Sequence, residues 1–169
     1  MNWPISPNGS SWLTTALVIP TIIWSVSLPS LPPDQPSIIR DETGAQTLLG
    51  YVVDFTARDG TAKCILDIGP QHGNRHGSLH GGIISCMLDN AMGFAASLTG
   101  DDAGDTRFMT ISMNTQFMAP VREGRVTATG VISGGGRNLL FAEGSIHDDA
   151  GAVIATATGV YKRIKETRS

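Results

Sequence analysis

The stretch Gly81–Leu98, GGIISCMLDNAMGFAASL, constrains the fold more than any other part of the chain. Its 18 residues make about 27 Å of helix at 1.5 Å per residue. Apolar side chains fall on every face, Ile83, Ile84, Met87, Leu88, Met92 and Phe94 among them. A helix that is apolar all round belongs inside a protein. What surrounds it must be strands. Short apolar runs at 48–57 and 62–68 flank Arg58-Asp59-Gly60-Thr61, and an Asp-Gly pair between two such runs is a hairpin signal. Four more strand candidates follow at 106–119, 124–133, 137–147 and 152–163, joined by short turn-like connections. In the last, Val153, Ala155, Ala157 and Gly159 face one way and Ile154, Thr156, Thr158 and Val160 the other. The order β-β-α-β-β-β-β predicts an α+β fold, with one long central helix wrapped by a curved antiparallel sheet of about six strands. A partner subunit is expected to cover what a single sheet leaves open.

Composition narrows the rest. At 169 residues the chain holds one domain, or one domain with an appendage. A net charge of −3 gives no basic footprint, which argues against nucleic-acid binding. Two cysteines, Cys64 and Cys86, make no disulfide framework and fit a reducing compartment, the cytoplasm. The first charged residue is Asp34, and 28–36 carries four prolines in nine residues, which reads as an extended linker. We therefore divide the chain into an extension, 1–36, and a domain, 37–169. The apolar run Trp12 to Leu28 is marginal in length for a membrane span and is broken by Pro20. It has no Lys or Arg ahead of it, as a secretory signal would. A non-native start is the leading reading, and membrane contact through 11–30 the lesser one.

Inside the apolar helix stands one residue charged at neutral pH, Asp89. Burying a carboxylate is costly, so either its proton affinity rises or partners hold it. The helix is preceded by HGNRHGSLHGG, which puts Gly81 and Gly82 at its N-terminus. There the unpaired amides and the positive dipole end suit a developing oxyanion, and one such donor is worth roughly 3 kcal/mol of barrier. Asp89 lies about two turns further on, on roughly the same face but about 11 Å along the axis. That distance is too great for both to act on one substrate atom within a single chain. Two helices running antiparallel in a dimer would bring one chain's glycines to the other's Asp89.

Asn74, His80-Gly81-Gly82 and Asp89-Asn90-Ala91 form the pattern N-x5-H-G-G-x6-D, followed by MTISMNTQFMAPVREG. In this the chain resembles the hotdog-fold thioesterases, in particular the PaaI-like branch of the 4-hydroxybenzoyl-CoA thioesterase superfamily, over about residues 45–164. The resemblance implies a hotdog fold, an acyl-CoA substrate, and active sites at the interface of a homodimer or dimer of dimers. It implies that Asp89 activates water or attacks directly, that the Gly81 amide polarises the thioester carbonyl, and that Asn74 orients the thioester or the water. His80 matches the loop histidine beside the carbonyl. Thr110 falls where some relatives place a hydroxyl that helps hold the water. One departure is Gly93, where another branch carries Ser or Thr one turn after the acid. A thiolate is a good leaving group, so the chemistry requires no metal and no cofactor.

Other residues keep two readings. Arg137, after Gly134-Gly135-Gly136, could meet CoA phosphates with the Gly136 amide, or could be a solvated arginine on an ordinary hairpin. His72, His76 and His80 recur every four residues, but the glycines between them make a loop, so exposed side chains are expected rather than metal ligands. Cys86 and Cys64 read as buried thiols. Lys162, Arg163, Lys165 and Arg168 read as a soluble tail, with CoA contact the lesser reading. Met113, Phe117 and Met118 read as core or interface packing. Other functions open to the same fold are a dehydratase or hydratase of acyl thioesters and a non-catalytic acyl-CoA sensor.

Overall fold

The computed structural model describes residues 37–164. The 1–36 extension, Lys165 and Arg168 lie outside the described residues. A two-residue strand, β1 (Ile38–Ile39), leads into a short helix, α1 (Gly44–Leu49), then strands β2 (Val52–Asp54) and β3 (Ala62–Asp67). A 3-10 turn at Pro70–His72 opens the glycine-rich loop before helix α2 (Gly81–Leu98). Four long strands complete the domain: β4 (Phe108–Phe117), β5 (Arg125–Gly135), β6 (Leu139–Asp148) and β7 (Val153–Arg163). All pair antiparallel in one seven-stranded sheet ordered β1-β2-β3-β5-β6-β7-β4. The expected α+β architecture, a long helix held by a curved antiparallel sheet, is the one observed.

One detail differs from the sequence reading. The run at 48–57 is not one strand: its first two residues end α1. Thr43 caps that helix by accepting the Gln46 amide at 3.2 Å, and Gly50 closes it with φ of 74°, a left-handed conformation that favours glycine. The Asp-Gly hairpin does form between β2 and β3, with Asp59 Oδ1 accepting from the Thr61 amide at 2.9 Å and from its hydroxyl.

The core lies between α2 and the sheet. Met87, Leu88, Ala91, Met92 and Ala95 are fully buried, facing β3, β5, β6, β7 and β4. The helix backbone passes so close to β5 that a Cβ at Gly130 would stand 2.4 Å from Ala91 backbone atoms. The other face of α2 is open. Gly82 is exposed, and Cys86, Asp89, Asn90, Gly93 and Ser97 are half-buried along one stripe. Asp89 is therefore less enclosed in the single chain than an apolar helix suggested. Strand β4 enters after α2 and takes the outer edge beside β7, so one side of this strand, which carries no charged residue, is unpaired among the described residues. Met109, Ile111 and Phe117 are 49%, 53% and 58% exposed along it.

Candidate active site

The loop before α2 is held by its own polar groups. His72 is buried, not exposed as its loop setting suggested. The Gly69 amide donates to its Nδ1 at 2.9 Å, which places the ring proton on Nε2, 2.9 Å from the Leu49 carbonyl. Both nitrogens are spent on backbone groups, tying the loop to the end of α1 and leaving none for a metal. Asn74 Oδ1 accepts from the His76 amide at 2.8 Å and the Ser78 amide at 3.2 Å, an Asx-type turn. Only its Nδ2 is left without a partner among the described residues.

His80 is the N-cap of α2: its Nδ1 accepts from the Gly82 amide at 2.9 Å. That bond consumes the Gly82 N–H expected to face a substrate. The Gly81 N–H, by contrast, makes no hydrogen bond among the described residues, and the Phe117 ring lies 3.3 Å from where its Cβ would be. The donor pair expected from the sequence thus reduces to one, Gly81.

Asp89 reaches across to the sheet. The Thr110 hydroxyl donates to its Oδ1 at 2.7 Å and the Tyr161 hydroxyl to the same oxygen at 3.0 Å. Tyr161 Oη also stands 3.3 Å from the Asp89 carbonyl. Of the two outcomes open to a carboxylate in apolar surroundings, the structure shows partners that hold it. Tyr161 is the partner of Asp89 that sequence reasoning missed. Its signal was present: it continues the face of Ala155, Ala157 and Gly159, which β7 turns toward α2. Burial and then the Asp89 charge push its phenol well above the usual range, so it remains a hydrogen-bond donor.

The neighbours of Asp89 are committed elsewhere. Asn90 donates from Nδ2 to the Cys86 carbonyl at 2.8 Å and accepts from the Tyr51 hydroxyl at 3.1 Å. Burial pushes the Tyr51 phenol up to about 12. Burial, followed by the Asp89 charge, raises the Cys86 thiol, and burial likewise raises Cys64; both are protonated thiols rather than nucleophiles.

Gly81 and Asp89 are eight residues apart on α2, about 12 Å along the axis, so one chain does not bring them together. Arg137 stands apart from both, on an open cavity of about 610 Å³ shared with Arg107, Arg163 and Asn138 and also lined by the carboxylates of Asp101 and Asp105. None of these three guanidinium groups is ion-paired among the described residues, where the salt bridge is Arg125–Asp67. The Gly136 amide, expected beside Arg137 as a ligand donor, is spent on the Leu139 carbonyl at 2.8 Å within the hairpin. Met113 packs on the core, whereas Phe117 and Met118 are exposed. No helix among the described residues is long and apolar enough to cross a membrane.

Residues 76–155 match the family model described as the thioesterase superfamily. No curated protein matches the chain. Among solved structures, a thioesterase from Haemophilus influenzae superposes with a TM-score of 0.68 at 20% identity, over 75% of this chain and 87% of that one. The PaaI protein from the phenylacetic acid degradation operon of E. coli gives 0.64 at 20% identity, over 76% and 89%. A conserved protein from Pseudomonas aeruginosa gives 0.65 at 23% identity, over 72% and 94%. At these identities the structural likeness is one of fold. With the family match it bears out the hotdog fold and the resemblance to PaaI-like thioesterases. The matched residues take in His80, Gly81, Asp89 and Thr110 and begin two residues after Asn74.

Proposed function

We propose that this chain, a hotdog protein bearing the thioesterase-superfamily pattern, hydrolyses acyl-CoA thioesters to free acid and CoA at sites shared between two subunits. The observation that carries the reading is Asp89, a carboxylate on the open stripe of α2 with one oxygen held by two strand hydroxyls and the other without a hydrogen bond among the described residues. The Gly81 N–H of one subunit polarises the thioester carbonyl, and Asp89 of the other serves the attack on the carbonyl carbon. It does so either by taking a proton from water or by attacking itself to form an anhydride that water then opens. In both routes the C–S bond breaks and CoA leaves as the thiolate. The free Nδ2 of Asn74 orients the thioester or the water, and His80 holds the start of α2 in place.

The free edge of β4 supports the dimer. Ten residues of uncharged strand, with apolar side chains exposed along it, favour pairing with another chain. For CoA, Arg137, Arg107 and Arg163, which form no ion pair among the described residues, supply charge for its phosphates. Arg163 is two residues along β7 from Tyr161, about 7 Å, on the same face of that strand. We place the protein in the cytoplasm, where acyl-CoA and its free cysteines are both at home.

A thiol-release screen over aromatic and aliphatic acyl-CoA substrates tests the reading, beside a crotonyl-CoA hydration assay. Thiol release from at least one acyl-CoA is expected. Hydration without thiol release, or tight acyl-CoA binding with no turnover, would refute it.

A further inference from the structure

Asp89 does not present its two oxygens equally. Oδ1 accepts from both Thr110 and Tyr161, while Oδ2 accepts no hydrogen bond among the described residues. Nor is Oδ2 sealed in, since the buried side-chain oxygen lacking a partner there is Thr115 Oγ1. The two donors come from paired positions, Thr110 on β4 opposite Tyr161 on β7, so the sheet itself sets their spacing.

Tyr161 is built into this position. It is 1% exposed. A Cβ at Gly159 would come within 2.7 Å of its ring, and one at Gly93 within 3.4 Å. The ring thus lies in a slot that Gly159 of β7 leaves open, with Gly93 of α2 alongside at ordinary contact distance. The hydroxyl at its end has Asp89 as its hydrogen-bond partner, through Oδ1 and the main-chain carbonyl.

We propose that Tyr161 is a positioning residue for Asp89: together with Thr110 it holds Oδ1 and so turns Oδ2 to the open side of α2 as the oxygen that meets the substrate or the water. This rests on the thioesterase reading. The device is preorganisation. A carboxylate free to rotate presents either oxygen, whereas one fixed at Oδ1 offers Oδ2 in one direction, and a misplacement of about 1 Å can cost about a hundredfold in rate. Tyr161 touches neither substrate nor water in this scheme and acts only through Asp89.

Tyr161→Phe removes the hydroxyl and keeps the ring in its slot. The expected result is a kcat lower by about ten- to a hundredfold with KM unchanged, in a protein that still folds but melts up to about 12 °C lower for want of the bond to a charged group. Thr110→Val, which removes the other donor, should act in the same direction. Unchanged kcat in folded Tyr161→Phe overturns the proposal. A second measurement needs no turnover. The chain has two tyrosines, so 13Cζ-tyrosine NMR gives two signals, assigned by Tyr161→Phe. Asp89→Asn should shift the Tyr161 signal more than the Tyr51 signal, and equal or absent shifts overturn the hydrogen bond. If the wild-type protein releases no thiol from any acyl-CoA, the functional reading fails on that assay alone, and the NMR comparison still decides whether Tyr161 holds Asp89.

Discussion

Asp89→Asn separates chemistry from architecture, because the structure says what the amide keeps. Its oxygen can take the place of Oδ1 and accept from both Thr110 at 2.7 Å and Tyr161 at 3.0 Å. Its NH2 then occupies the outward position of Oδ2. What is lost inside the fold is the charge on the acceptor. A hydrogen bond to a charged group contributes about 1.5–3 kcal/mol and a neutral one about 0.5–1.5, so two bonds weaken by roughly 2–3 kcal/mol in sum. Removing a half-buried charge offsets part of this. The net cost is about 2 kcal/mol at most, a fall of roughly 8 °C or less in melting temperature for a domain of this size. The kinetic cost is of another order. An amide neither takes a proton from water nor attacks a carbonyl, and a positioned base contributes about a hundred- to ten-thousandfold, or about 3–5 kcal/mol of barrier. Thermal unfolding and a thiol-release assay on the same preparation read both numbers. A folded Asp89→Asn protein that turns over within tenfold of wild type would remove Asp89 from the mechanism.

Shared sites make complementation predictable. If, as proposed, each site draws Asp89 from one subunit and Asn74 from the other, a mixed dimer of Asp89→Asn and Asn74→Ala chains has one intact site, and random mixing should restore roughly a quarter of wild-type activity. Verified heterodimers with none would contradict the geometry. Replacing Arg107, Arg137 and Arg163 by Ala together should raise KM for acyl-CoA at least several-fold while leaving kinetics on an acyl-pantetheine, which lacks the nucleotide phosphates, unchanged; equal effects on both substrates would refute a phosphate role. Asp101 carries a pH prediction. Partial burial works to raise its carboxyl, but hydrogen bonds from the Thr106 hydroxyl and the Asp105, Thr106 and Gly104 amides outweigh it and hold it below its ordinary value of 3.8. A group lowered in the folded state stabilises above its unfolded value and loses that contribution as pH falls through the folded one. Asp101→Asn should therefore be less stable than wild type at pH 7, with the gap in urea midpoint narrowing below about pH 4; a gap that does not change with pH would refute it.

The long elements were legible from the chain because local pattern decides them. The 18-residue apolar run between a glycine-rich loop and Thr99-Gly100 becomes α2 with the bounds read from it, and β4 to β7 lie within a few residues of their expected spans. Elements too short to show a period were not legible: α1 has six residues and β1 two. The sign of α1 was its cap, Thr43 three residues before Gln46 and Gly50 after it, and not its hydrophobicity.

The amino-acid order by itself determined that a long buried helix must be wrapped by strands, that its start is rich in glycine, and that one acid stands within it. These follow from periodicity, turn chemistry and the cost of burying charge, all properties of neighbours along the chain. Only the tertiary structure decided which groups remain available. It placed Tyr161 against Asp89 across 72 residues, tied up the Gly82 amide with His80, buried His72, and sent β4 to the far edge of the sheet. Hydrogen-bond partners and strand order are set by which surfaces pack together, and contacts between residues so distant in the chain leave no local pattern to read.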